Sequence, residues 1–191
     1  MKNDIIDIPF PLSIFYNQKL ADGPIFKEVA PEDIPEPQRT LLCHSNDMTP
    51  TLENFFDQTA HLSLLKKHSE QGFFFRHIIL SGENDIPMEV GAIKINISNF
   101  PPVAQHMINK SKVPLGTIYK IFEIQHKNKP ESFYKVKSDQ LINGIYHLEE
   151  PTTLYSRLNK QISPNNELFA LALEILPPLN KKYNWVEYFE K

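Results

Sequence analysis

Two short connections constrain this chain more than any other feature. Gly82-Glu83-Asn84-Asp85-Ile86-Pro87 separates β-rich runs over 73–81 and 88–97, and Ser163-Pro164-Asn165-Asn166 separates runs over 153–162 and 167–176. Glycine, proline, asparagine and aspartate in so short a gap reverse the chain, whereas a parallel pair needs a crossover of about a dozen residues. Both pairs are therefore predicted to be antiparallel, which argues against a doubly wound parallel sheet. Further runs over 60–68 and 131–137 bring the expected number of strands to about six.

Helical pattern is expected near 50–58, near 100–110 and in a segment after Gly116. In the first, Thr49 reads as the N-cap, Pro50 as the first helical residue, and Leu52, Phe55 and Phe56 as an apolar stripe. These elements predict an α+β fold, a single antiparallel β-sheet with flanking helices. With 191 residues, 41% of them hydrophobic, the chain is the size of one domain with a real core. Residues 1–39 are proline-rich, most of all over Ala30-Pro31-Glu32-Asp33-Ile34-Pro35-Glu36-Pro37-Gln38, and are expected to wrap the surface. The core is expected over 40–178 and a tail over 179–191.

Charge and motif content narrow the functional class. The net charge of −3, with signs interspersed, gives no basic stripe for a phosphate backbone, so a small molecule is the expected partner and nucleic acid is not. Ile5-Ile6-Asp7-Ile8-Pro9-Phe10-Pro11-Leu12 is too broken for a signal peptide or membrane span, and a cytoplasmic protein is expected. Without a secretory signal, the glycosylation triplets at Asn96 and Asn109 carry little meaning. Cys43 is the sole cysteine and reads as a buried thiol. The seven histidines are scattered, and the six glycines form no phosphate-binding loop, so neither metal nor nucleotide cofactor is expected.

Two charges stand out against this background. At strand period two, Arg76 shares a face with Phe74, Ile78 and Leu80, and Glu174 with Leu168, Ala170, Ala172 and Leu176. An ion on an apolar face needs a partner. Arg76 either reaches solvent, pairs with Glu89 or Glu174, or holds a substrate carboxylate in its planar fork. Glu174 either forms a salt bridge near its strand end or is a carboxyl poised to hydrogen-bond or exchange a proton. Together they match a small, partly apolar carboxylic acid that carries a hydroxyl. Pro114-Leu115-Gly116 reads either as an ordinary loop or as a sharp turn presenting amides to an anion.

The order of these motifs resembles the chorismate pyruvate-lyase (4-hydroxybenzoate synthase) family. Leu41-Leu42 with Asp47-Met48-Thr49 and Leu52-Glu53 resembles that family's opening segment and first helix. Phe75-Arg76-His77-Ile78-Ile79-Leu80 resembles its arginine-bearing strand, and Pro87 to Gly91 the hairpin partner. Pro114-Leu115-Gly116, Tyr155-Ser156-Arg157 and Leu173-Glu174-Ile175-Leu176-Pro177 are similar to later motifs, in order, over roughly residues 40–178. The resemblance implies a cofactor-free lyase, in the service of ubiquinone or another 4-hydroxybenzoate-derived product, that eliminates pyruvate from chorismate to leave 4-hydroxybenzoate. It implies Arg76 and Glu174 as catalytic residues, Arg76 on the ring carboxylate and Glu174 at the ring hydroxyl. Backbone amides at Met48 and Leu115 would help bind the carboxylate, Thr49 would lie with them in the site, and Gly91 would leave room at its wall. A monomer is expected. The same architecture also resembles the effector-binding domains of bacterial transcription regulators, so a non-catalytic aromatic-acid sensor is the competing expectation, although no helix-turn-helix segment is recognisable here. A structural Arg76–Glu174 ion pair in a domain that has lost activity is the third.

Overall fold

A computed structural model describes residues 7–16 and 23–179; the expected tail beyond Leu179 and the first six residues lie outside them. Seven strands form one sheet in the order β1-β5-β6-β7-β4-β3-β2, every neighbouring pair antiparallel: β1 Ile25–Val29, β2 His61–Glu70, β3 Phe73–Ser81, β4 Pro87–Asn96, β5 Lys127–Lys137, β6 Thr153–Ile162 and β7 Leu168–Leu176. Both short connections are hairpins, as expected. A third joins β2 to β3 through Gln71 and Gly72, whose positive φ values of 50° and 81° suit the tight turn that a right-twisted ribbon requires.

The sheet has one strand more than the sequence predicts. β1 lies inside the proline-rich segment read as a surface wrap, where it pairs along an edge with β5. β5 itself starts at Lys127, four residues before the predicted run, because a register shift between Pro130 and Ser132 absorbs the proline. The helices are α1 Gln38–Leu42, α2 Met48–Phe56, α3 Pro102–Lys110, α4 Leu115–Ile121 and α5 Gln140–Ile145. Two local readings are corrected. Asp47, not Thr49, precedes the first residue of α2, which places Pro50 in the first turn, where N–H groups have no partner within the helix. Gly116 is the second residue of α4 rather than the hinge of a turn.

Alternation divides the core in two. On one face, α1 and α2 bury Leu41, Leu42, Met48 and Leu52 against Ile78 and Leu80, while α3 and α4 bury Ile108 and Ile118 against Phe74, Ile93 and Ile95. The other face is covered by α5 and by a turn of 3-10 helix at Leu12–Phe15. There the Tyr146 hydroxyl accepts from the Val90 amide at 2.8 Å and donates to the Ile175 carbonyl at 2.6 Å, which ties β4 to β7 directly behind the two carboxyl-bearing positions Glu89 and Glu174.

His77 belongs to this second face. It is 1% exposed, neither ring nitrogen has a hydrogen-bond partner among the described residues, and the ring stacks on Phe15 at 5.6 Å. Burial, then the charge of Lys66, lowers its pKa to about 4. Below the ordinary histidine pKa of about 6.5 the unfolded chain takes up a proton that the folded one refuses, so stability present at neutral pH is lost as pH falls towards 4. His77 should contribute a slope approaching about 1.4 kcal/mol per pH unit within that window. Urea denaturation at pH 7 and pH 5 should show a smaller acid loss for His77→Phe than for the parent; equal losses would show that His77 is not the titrating group.

Candidate functional site

The first face of the sheet places Arg76 on β3, Glu89 and Gly91 on β4, Glu174 on β7 and Arg157 on β6 in one connected patch. Its register is set by the pairs Arg76↔Ile93, Leu80↔Glu89, Ile78↔Gly91, Gly91↔Glu174 and Arg157↔Glu174. Antiparallel neighbours in register present their side chains on the same face, so no loop is needed to assemble the cluster. A narrow cavity of about 50 Å³ lies between this patch and the first turns of α2 and α4. All six residues expected in the site line it: Arg76, Glu174, Met48, Thr49, Gly91 and Leu115. Ile78, Ile93 and Ala172 are among the apolar residues of its walls.

Arg76 is 2% exposed and forms no ion pair with any described carboxylate. Its Nη1 donates to the Val113 carbonyl at 3.3 Å, and its buried Nε has no partner. Burial lowers its pKa to about 10, so it remains a cation at neutral pH. Of the alternatives left open for Arg76, pairing with Glu174 is not what the fold builds. Glu174 instead accepts from Arg157 Nε in a short contact, with the two residues 5% and 0% exposed. Arg157 Nη1 also donates to the carbonyls of Leu42 at 3.3 Å and His44 at 3.0 Å, fastening the α1–α2 connection to the sheet.

Glu89 is the second carboxyl of the cavity. It is 4% exposed, and its Oε2 has no hydrogen-bond partner. Burial above all, then the adjacent Glu174 charge, raises its pKa well above the carboxylate range despite the opposing effect of Arg157. Gly91 explains where that group sits. A Cβ on Gly91 would approach Glu89 Oε1 to 2.6 Å and the Leu173 carbonyl to 3.3 Å, so the absent side chain is the space into which the Glu89 carboxyl leans.

A polar network closes the end of the cavity formed by α2 and α4. Asp47 accepts from Asn128 Nδ2 and pairs with His126 Nε2, both at 2.7 Å; Asn159 donates to Asn128 at 2.8 Å, and the Tyr119 hydroxyl donates to Gln161 at 2.9 Å. Burial works against charge on both members of the Asp47–His126 pair, and their hydrogen bonding prevails, lowering the Asp47 pKa and raising that of His126. Outside this network lies a larger cavity of about 340 Å³, which shares Asp47, Thr49 and Gly116 with the inner one.

Arg157, the partner of Glu174, does not stand out in the sequence as a site residue. Its neighbours on the same face, Asn159 and Gln161, make β6 look half solvated by alternation, yet all three are buried. The available signal was the pairing of that face with the Glu174 face of the next strand across a four-residue turn.

No protein-family profile and no curated protein matches the chain. Among solved structures, the effector domain of PhnF from Mycobacterium smegmatis superposes with a TM-score of 0.51 at 7% identity, over 69% of this chain and 88% of that domain. Against the longer PhnF structure the TM-score and identity are the same, and the likeness covers 64% of that chain, so this chain matches less than two thirds of it. The ligand-binding domain of a GntR-family transcriptional regulator from Bordetella bronchiseptica gives a TM-score of 0.46 at 14% identity, over 63% of this chain and 87% of that one. At such identities the likeness defines the fold alone: a single antiparallel sheet with flanking helices, the chorismate lyase-like class expected from the sequence. Among the described residues no helix is long and apolar enough to cross a membrane.

Proposed function

We propose that this chain binds a small aromatic carboxylic acid of the 4-hydroxybenzoate kind over Arg76, as an effector-sensing domain. The observation that supports this most is the buried Arg76 guanidinium, with no acidic partner among the described residues, an unbonded Nε and a cavity beside it. A buried cation is costly unless a complementary charge meets it, and a carboxylate matches its fork. The apolar walls then suit a ring. An engineered apolar cavity of about 150 Å³ admits benzene, so at about 50 Å³ this one requires α2 and α4 to part before a ring enters. Slow release and tight binding follow from that reading.

A second reading is favoured by the convergence of motifs far apart in sequence on one cavity: cleavage of chorismate to 4-hydroxybenzoate and pyruvate. Aromatisation drives that elimination, so the protein need only hold the diene acid in a reactive pose and stabilise charge developing on the departing oxygen. Arg76 supplies the anchor for the ring carboxylate in both readings. Titration with 4-hydroxybenzoate, beside incubation with chorismate followed by chromatography, separates them. Saturable binding without turnover supports the sensor; equimolar 4-hydroxybenzoate and pyruvate, lost in Arg76→Ala, support the lyase. Absence of both would contradict both.

A further inference from the structure

Glu89 is the feature of this site that neither reading uses. Its backbone lies four residues along the strand from the position opposite Arg76, about 13 Å at 3.3 Å per residue. Its carboxyl, however, leans back over Gly91, only two residues from that position, about 7 Å along the strand. A six-membered ring with para substituents spans such a gap. The chemistry of this end differs from that of Glu174. Arg157 occupies Glu174, which is left to accept hydrogen bonds, whereas Glu89 has a buried oxygen with no hydrogen-bond partner among the described residues.

We propose that Glu89 is a specificity residue, whose carboxyl donates a hydrogen bond to a ligand oxygen lying para to the carboxylate held by Arg76. This rests on the proposed binding of an aromatic acid and deepens it, because it selects a hydroxyl- or ether-bearing ring acid over the bare one. The shift in Glu89 acidity agrees with a donor: burial and the Glu174 charge both favour the protonated form. A ligand hydroxyl then bridges the two carboxyl groups, accepting from Glu89 and donating to Glu174, and a bare ring leaves the Glu89 group unmet.

Calorimetric titration of the full chain with 4-hydroxybenzoate and with benzoate tests this. The parent protein should prefer 4-hydroxybenzoate by about tenfold, the size expected of one buried hydrogen bond. Glu89→Met should lose most of the preference, with only the Glu174 contact left to tell the two acids apart, and the isosteric Glu89→Gln, which keeps an N–H donor, should retain more of it. Benzoate binding with no preference in the parent, or a full preference surviving in Glu89→Met, would overturn the assignment to Glu89 and leave the Arg76 reading standing. Failure of the parent to bind either acid would overturn both.

Discussion

Replacing Arg76 with methionine is expected to make the ligand-free protein more stable while weakening its hold on 4-hydroxybenzoate by about a hundredfold or more. The two effects have one cause. In the free protein the guanidinium is almost wholly buried, its acidity has risen through desolvation, and among the described residues it donates only to the Val113 carbonyl. Methionine fills similar space with an adaptable apolar chain and removes that cost. A gain of about 1–3 kcal/mol is expected, in line with what replacement of buried charges by apolar groups yields elsewhere. For a domain of this size each kcal/mol raises the thermal midpoint by about 2–4 °C. Binding moves the other way, because a desolvated charge pair with a ligand contributes about 2–5 kcal/mol when one side is truncated. Thermal unfolding and calorimetric titration on the same preparation read both effects. A destabilised variant with unchanged affinity would make Arg76 a structural residue instead.

The second large effect is expected at Arg157, and it has the opposite character. Arg157→Met leaves the Glu174 carboxylate buried without its cation, beside Glu89, and releases the Leu42 and His44 carbonyls that anchor the α1–α2 connection. Breaking a buried ion pair from one side costs about 3–5 kcal/mol. Glu174→Gln should also destabilise, by stranding the guanidinium. The two changes together should cost less than the sum of the singles, since neither ion is then left alone. Urea denaturation of the three variants provides the double-mutant cycle; strictly additive losses would mean that the contact between Arg157 and Glu174 contributes no coupling.

These contrasting arginines show how far the sequence alone reaches. Arg76 and Glu174 were legible because each interrupts an apolar strand face, and a lone charge at period two stands out whatever surrounds it. Their partners were not. Which charge meets which depends on strand order, and β7 lies between β4 and β6, so Glu174 meets Arg157 before it can meet Arg76. Arg157 was masked by Asn159 and Gln161, whose alternation imitates a solvated face although the network through Asn128, Asp47 and Tyr119 buries it. The hairpins at Gly82–Pro87 and Ser163–Asn166 were legible from turn chemistry. β1 was not, because five residues containing Lys27 and Glu28, set among prolines, form a strand only once β5 offers an edge. The same holds for α5, whose short Gln-Leu-Ile-Asn-Gly-Ile run is a helix through the Asp139 side chain that accepts from the Ile142 amide and through burial of Ile142 against the sheet.

The central claim is that the buried Arg76, which has no acidic partner among the described residues, exists to meet a ligand carboxylate. A crystal structure of the protein grown with 4-hydroxybenzoate tests it most directly. The account predicts the ring between β4 and the first turns of α2 and α4, its carboxylate within about 3 Å of Arg76 Nε and its hydroxyl at Glu89 and Glu174. A ligand bound with its carboxylate away from Arg76, or an Arg76 that keeps its unbonded Nε beside an occupied cavity, would contradict it.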